Sequence, residues 1–543
     1  MQQRDIIYLL PYEVLDIIFR HLSRNDVLEC TLVSRPWYVG VNQYASAAFN
    51  HITLHASEDT EQYEGLLARI GHHVKSMAID QCPDGTTLAN LIDILGYYEC
   101  RDLEVLELRN GMLNSEFAPR LKTLQNLGYV TISLPTHMRA STPFVQKIVA
   151  ECSSLISLTC ISSISKSGHF VQLHDTPLYN TQNGHVRHLH LRYPDISIAS
   201  VSPLLQQCPN ISSLCVQSMQ EPDKKKIQCY CQQLTDLRWA TLDTRSFLYN
   251  DIQPLCLEHD PKTSIALGTL ATNAYAARLF IMEHSLRHLS LHVSRSVDFE
   301  HETVIAMQQL LTHNANTLKT VALSMNAFHL MQLMPSVDRL IHLDHLRLYI
   351  RPFSIMRRTL NRNNALERPG AESGTEHALV EFLSHINKSK VPIALGIQNV
   401  LKVIDSSRRM EVISSMIGKI PQLKEIEIRE PNPSPEILAS LFHHARQLKA
   451  VSLVGGRLQV TKIMLTILST SPQLEYLQLQ GIGRISTIGL RELADRHEQS
   501  NLKCQVVMLK PDNPNDAFGK CFAYARWKMG RDRFEYRELP AYE

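Results

Sequence analysis

A charge excess of either sign is missing from this sequence. Its 55 Lys and Arg stand against 53 Asp and Glu, a formal net charge of +2. A chain that binds nucleic acid through its phosphates shows a basic excess or a concentrated basic stripe, so no nucleic-acid partner is expected. Long apolar runs are missing too. The first twenty residues hold only Ile6 to Leu10, broken by Pro11 and Glu13, too short for a signal-peptide core or a membrane span. No later window supplies about 18 uninterrupted apolar residues, so no membrane partner is expected, and a cytoplasmic or nuclear location is.

Cysteine is sparse. Twelve in 543 residues cannot form a disulfide scaffold, and Cys152, Cys160, Cys208 and Cys504 lie singly inside apolar segments, as reduced buried thiols do. Cys229 and Cys231 are the one tight pair, but zinc sites want Cys-x2-Cys and a second ligand pair at matching distance. Catalytic signatures are absent as well: there is no Gly-x-x-x-x-Gly-Lys-Ser/Thr loop, His-Glu-x-x-His helix or Gly-x-Ser-x-Gly elbow. The expectation is a non-catalytic chain with no cofactor and no metal.

What is present is a core-forming composition, 44% hydrophobic and 20% charged, which excludes wholesale disorder. Within it one string recurs, an aliphatic residue at positions one, four and six. Twelve clear copies begin at Leu103, Leu127, Leu155, Val186, Ile211, Leu234, Leu286, Leu318, Leu343, Leu423, Leu448 and Leu474. Weaker ones sit near Val74, Val391 and Cys504, with Ile52 to His55 as a first half-repeat. Consecutive starts are mostly in the middle to upper twenties apart, which fits one strand plus one helix per unit. Glu436 to Ala445 and Thr303 to His313 show helical spacing between strands. Proline then stops several of these helices just before the next strand, as in Cys208-Pro209-Asn210-Ile211.

These residues, over roughly 51 to 510, resemble the helix-containing leucine-rich-repeat family. The expected fold class is α/β, a right-handed solenoid with parallel strands on the concave face and helices on the convex face. About fifteen strands at ~4.8 Å spacing give an inner arc of about 70 Å, enough to grip a folded protein. The expected division is 8–48 for an N-terminal helical domain, 49–510 for the solenoid with insertions near 243–285 and 352–378, and 511–543 for an aromatic cap or tail. The first insertion holds an Ala-rich helical stretch, Ile265 to His284, with room for a degenerate repeat. Asn361 to Thr375 in the second reads as a loop.

Residues 10 to 44 leave the repeat period and read as three short helices. Leu10-Pro11 opens the first, with Val14, Leu15, Ile18, Phe19 and Leu22 at helical spacing. Ser23 with Asp26 starts the second, and Ser34-Arg35-Pro36-Trp37 starts the third. The string LPYEVLDIIFRHLSRNDVLECTLVSRPWY resembles an F-box, departing from it at Pro36, which is expected to alter the start of the third helix. That resemblance implies docking on the Skp adaptor subunit of an SCF-type cullin-RING ubiquitin ligase, with cullin and RING subunits reached through it. Leu10, Pro11, Val14, Leu15, Ile18, Leu28, Leu32, Val33 and Trp37 would make the adaptor-binding surface. The repeats would then hold a protein substrate for ubiquitination and proteasomal degradation. A non-degradative scaffold or transport adaptor is the alternative.

Alternation along each strand sends the residues between the aliphatics to the concave face. His190, Arg192, Arg238, His288, His292, His345, Arg347 and Tyr349 are the candidate substrate-binding residues there. Being rich in Arg and His, the stripe predicts an acidic or phosphorylated substrate.

Overall fold

The structure, a computed structural model, describes residues 7, 10–22, 24–45, 49–55, 60–82, 84–98, 100–114, 116–135, 138–162, 171–172, 182–192, 198–218, 227, 229–241, 267–292, 301–351, 371–398, 407–429, 435–454, 473–480, 505–509 and 534–537. The chain divides into two compact units. The first comprises Met1–Arg245 with Cys256–Ile265, the second Ser246–Leu255 with Ala266–Glu543.

The first unit opens with α1 (Tyr12–His21), α2 (Arg24–Cys30) and α3 (Arg35–Tyr44). Besides a two-stranded ribbon of Met138–Arg139 with Val171–Gln172, the strands of its main sheet are β1 (His51–His55), β2 (Ser76–Asp80), β3 (Val105–Arg109), β4 (Tyr129–Leu134), β5 (Ser157–Ser162), β6 (His188–Arg192), β7 (Ser213–Ser218) and β8 (Asp236–Thr241). They pair in parallel and in chain order. Helices such as Thr60–Ile70, Gly85–Tyr97, Thr142–Glu151 and Ile198–Gln207 stand between successive strands, because parallel neighbours need a crossover. The crossover helix Gly85–Tyr97 starts where the Asp84 carboxylate accepts from the Thr86 and Thr87 N–H groups at 2.9 and 2.8 Å. It buries Leu88, Leu91, Ile92 and Leu95 against the sheet side of the unit.

The second unit continues the pattern through β9 (Thr269–Asn273), β10 (His288–His292), β11 (Thr320–Met325), β12 (His345–Ile350), β13 (Ile393–Gln398), β14 (Leu423–Arg429), β15 (Ala450–Val454), β16 (Tyr476–Gln480), β17 (Gln505–Leu509) and β18 (Phe534–Arg537), again parallel and in chain order. In both units the fourth and sixth positions of the string, such as Leu106 and Leu108 or Leu346 and Leu348, are buried. The side chains between them therefore share the opposite face, the open face of the sheet.

Three expectations change. The Ala-rich stretch is a strand, β9, followed by a 3-10 helix over Ala274–Phe280. The string survives there as Leu267, Leu270 and Thr272, with threonine, a good strand former, in the sixth place. Ala371 to Thr375 is the first turn and more of a helix, Ala371–Ile386, rather than loop; burial of Leu379, Phe382, Leu383 and Ile386 outweighs the cost of about 1 kcal/mol for Gly374. Residues 361–370 lie outside the described residues. In the aromatic tail Phe534–Arg537 adds a strand beside β17, and the rest of 511–543 lies outside them.

Repeats are latched by buried side chains reaching into their neighbours. Asn314, with no exposed surface, donates from Nδ2 to the Glu283 and Leu310 carbonyls at 2.7 and 2.9 Å and accepts the Leu286 N–H at 2.9 Å. Asn183 does the same in the first unit, donating to the Val149 and Cys152 carbonyls at 3.0 and 2.8 Å.

Candidate functional site

Two surfaces are candidates, the N-terminal helices and the open face of each sheet. On α1 the apolar run divides: Leu15 and Phe19, one turn apart, are buried, while Val14, Ile17 and Ile18 lie exposed on the other side. After α2 the chain turns, and Leu32 and Val33 project with 84% and 64% of their surface in solvent. Fully burying side chains of this size is worth about 1.5–3 kcal/mol each, so this face gains from a partner. Helix α3 starts at Arg35, where the Ser34 hydroxyl accepts the Trp37 N–H at 3.4 Å. Pro36 falls in the first helical turn, where its missing N–H costs nothing, so it does not displace the helix as its departure from the expected pattern suggested. Trp37 is half-buried and meets Phe19 edge-to-face, with ring centroids 6.5 Å apart. The helices are fixed to the first repeat by His73, whose Nε2 donates to the Asn42 carbonyl at 2.5 Å.

The open face presents a different chemistry from the one its sequence suggests. Arg238 donates from Nε and Nη2 to Asp236 at 3.1 and 2.9 Å. Arg109 donates to Glu107 at 2.7 Å, and Arg429 to Glu427. In each pair the acid precedes the arginine by two residues on one strand, which places both side chains on the same face. Arg347 meets Glu425 at 3.6 Å, two strands away. Ala394 stands between them in register and is too short to intervene. One step along, the Tyr349 hydroxyl reaches Glu427 across Gly396, its partner in register on β13. Two of the histidines, His190 and His292, add little charge. Burial pushes the pKa of His190 down to about 4, helped by the Arg192 and Arg238 guanidiniums. Burial pushes His292 down to about 3, with Arg351 adding repulsion and the Thr272 backbone acting in the opposite sense.

A family model for F-box-like sequences matches residues 7–43. Residues 7–43 are an F-box-like domain. No curated protein matches the chain. Among solved structures, a chain from the crystal structure of the Rad7 and Elc1 complex in yeast aligns with 11% sequence identity over 88% of this chain and 89% of that chain, at a TM-score of 0.35.

Within the F-box-like domain the sequence-derived surface needs correction at Leu15, which is 3% exposed and belongs to the interior. Pro11, Val14, Ile18, Leu32 and Val33 lie exposed, and Leu10 is half-buried. The Leu28 side chain lies outside the described residues. Tyr12, Ile17, Tyr38 and Val39 are exposed apolar residues that the sequence reading did not include. The signal for Ile17 was the unbroken run Ile17-Ile18-Phe19, too wide for one face of a helix.

The substrate candidates fall in both units. His190, Arg192 and Arg238 lie on β6 and β8 of the first unit, and the others on β10 and β12 of the second. His292 and Tyr349 are buried and so are corrected as surface residues. His288 is half-buried, with Nδ1 2.6 Å from the Thr320 hydroxyl, and His345 is exposed. Among the described residues no group of three His, Cys, Asp or Glu side chains could hold a metal ion, and no helix is long and apolar enough to cross a membrane.

Proposed function

We propose that this chain is the substrate-recognition subunit of an SCF-type ubiquitin ligase. The reading is carried by one observation: within an F-box-like domain, the apolar residues Leu32 and Val33, and Val14, Ile17 and Ile18 on α1, lie exposed. A Skp adaptor would cover that face, and the cullin and RING subunits would assemble through it. The repeats hold the protein substrate. Nothing in the chain then need catalyse transfer, because holding a substrate lysine near the charged conjugating enzyme raises its effective concentration.

The test is co-purification of the full chain with a Skp adaptor. A Leu32→Glu, Val33→Glu variant places two carboxylates in the covered face, and adaptor binding is expected to fall by about a hundredfold or more, two central anchors at roughly 2 kcal/mol each. Both residues are exposed, so thermal unfolding of the free chain stays unchanged. Undiminished adaptor capture by the variant removes the proposal.

A further inference from the structure

The turns that lead from a helix into the next strand differ in charge along the chain. In the second unit three successive turns, 387–392, 419–424 and 445–449, follow the helices Ala371–Ile386, Ser407–Gly418 and Pro435–His444. They hold Lys388, Lys390, Lys419, Lys424, Arg446 and Lys449 and no acidic residue. All are exposed except Lys424, which is half-buried. Lys449 meets Glu475 at 2.7 Å, and among the described residues the other five make no ion pair. The turns are bonded to one another. The Ile393 N–H donates to the Gln422 carbonyl at 2.8 Å, the Lys449 N–H to the Lys424 carbonyl at 2.7 Å, and Gln447 Nε2 to the Ile420 carbonyl at 2.6 Å. Like charges are thus held side by side on a fixed backbone, at a cost in mutual repulsion. Helix ends do not require this. The negative end of a helix favours a cation, yet the described residues of the corresponding turns in the first unit, and of the earlier ones in the second, include at most one Lys or Arg per turn, as at Lys75, Arg101, Arg187, Lys319 and Arg339. Acids such as Asp102, Glu104 and Asp338 accompany several of them. The excess is also bounded: exposed Asp344 stands in the turn before it and exposed Glu475 just ahead of β16 after it.

We infer that this edge of the second unit binds an acidic segment of a partner protein, laid across the three turns with its Asp and Glu side chains among the lysines. Neighbouring helix axes lie about 8–10 Å apart, so three helices span about 20 Å, the length of about six residues of extended chain. A nucleic-acid duplex or an anionic membrane would continue past the patch and press its charge on Asp344 and Glu475. For a single strand of nucleic acid the three turns offer no Phe, Tyr or Trp on which to stack a base. Five of the six cations are lysines, point charges that suit carboxylates spread along a chain, whereas paired arginine forks clasp a single phosphate. The inference does not depend on the ligase reading, because adaptor docking is placed on the N-terminal helices.

Fluorescence anisotropy with the full chain tests this, using a labelled peptide with a run of alternating Asp and Glu, its Asn and Gln counterpart, a neutral peptide bearing one phosphoserine, and a mixed-sequence DNA duplex. Co-sedimentation with phosphatidylserine vesicles completes the set. The acidic peptide is expected to bind most tightly, with Kd rising about tenfold between about 50 and about 300 mM salt. Lys388→Glu with Lys390→Glu, and Lys419→Glu with Arg446→Glu, should each weaken it by about tenfold or more. All four side chains are exposed, so thermal unfolding should match the wild type, and the corresponding Gln variants serve if a charge-reversed chain fails to fold. Lys319→Glu with Arg339→Glu, in the earlier turns, should change binding by less than about threefold. Equal binding of the Asn and Gln peptide, tighter binding of the phosphopeptide, duplex or vesicles, no binding at all, or the same loss from Lys319→Glu with Arg339→Glu overturns the inference. Adaptor capture is measured on the same preparation, so peptide binding with no adaptor binding defeats the ligase reading while leaving this one standing.

Discussion

His292 occupies β10 with 1% of its surface exposed. An unperturbed histidine titrates near pH 6.5, whereas this one is held down at about 3 by burial and by Arg351. As pH falls below about 6.5 the unfolded chain takes up a proton that folded His292 refuses. The unfolded state then binds more protons, and stability falls with pH at about 1.4 kcal/mol per unit for this group. The contribution is whole above pH 6.5 and is eroded on the way down to about 3. Denaturant unfolding across the range from about pH 7 to about pH 5 should show that loss in the wild type and a shallower slope in His292→Gln. Equal slopes would mean that His292 is not the group responsible.

At the scale of the strand, Gly396 explains how β12, β13 and β14 bind to one another through side chains. A Cβ at Gly396 would stand 2.5 Å from carbons of the Tyr349 ring, which lies over this position on its way to Glu427. Gly396→Ala is therefore expected to destabilise the protein by about 1–3 kcal/mol through overpacking. In a Tyr349→Ala background the same change should cost little, and a double-mutant cycle by denaturant unfolding measures the difference. Additive effects would show that ring and glycine are not coupled. The strands themselves were legible in the sequence, because the aliphatic string is the buried set and burial is what the string encodes. β9 was hidden by Thr272 in the sixth place. The open face was legible as a list of side chains but not as a charge distribution. Arg238 and Arg347 counted as cations in the sequence, whereas their neutralisation by Asp236 and Glu425 depends on rotamers and strand register. Helix α1 posed a similar problem: five apolar residues in six positions state that a face is buried without stating which, and Leu15 fell on the inner side.

Across the whole molecule, stability is held in links between adjacent repeats, and damage to one link should stay local. Asn314→Leu removes three hydrogen bonds and strands the Leu286 N–H in the interior, a loss of about 2–4 kcal/mol. Hydrogen exchange should then quicken in β10 and β11 and remain unchanged through β1 to β8. Uniform quickening across both units would contradict nearest-neighbour linkage.

The links also have a direction. Asn126 donates back to the Arg101 carbonyl, Ser154 to Gln125, Asn183 to Val149, Asn210 to Gly184, Asn314 to Glu283, Thr317 to Leu286 and Gln447 to Ile420, although Arg187 and Gln308 reach forward to Asn210 and Gln332. A ribosome makes the acceptor carbonyl first and the donor some 20 to 35 residues later, about the interval between one repeat and the next. Each newly emerged repeat thus waits with unclaimed carbonyls until its successor leaves the exit tunnel and fastens onto it, so the array closes in the order in which it is translated.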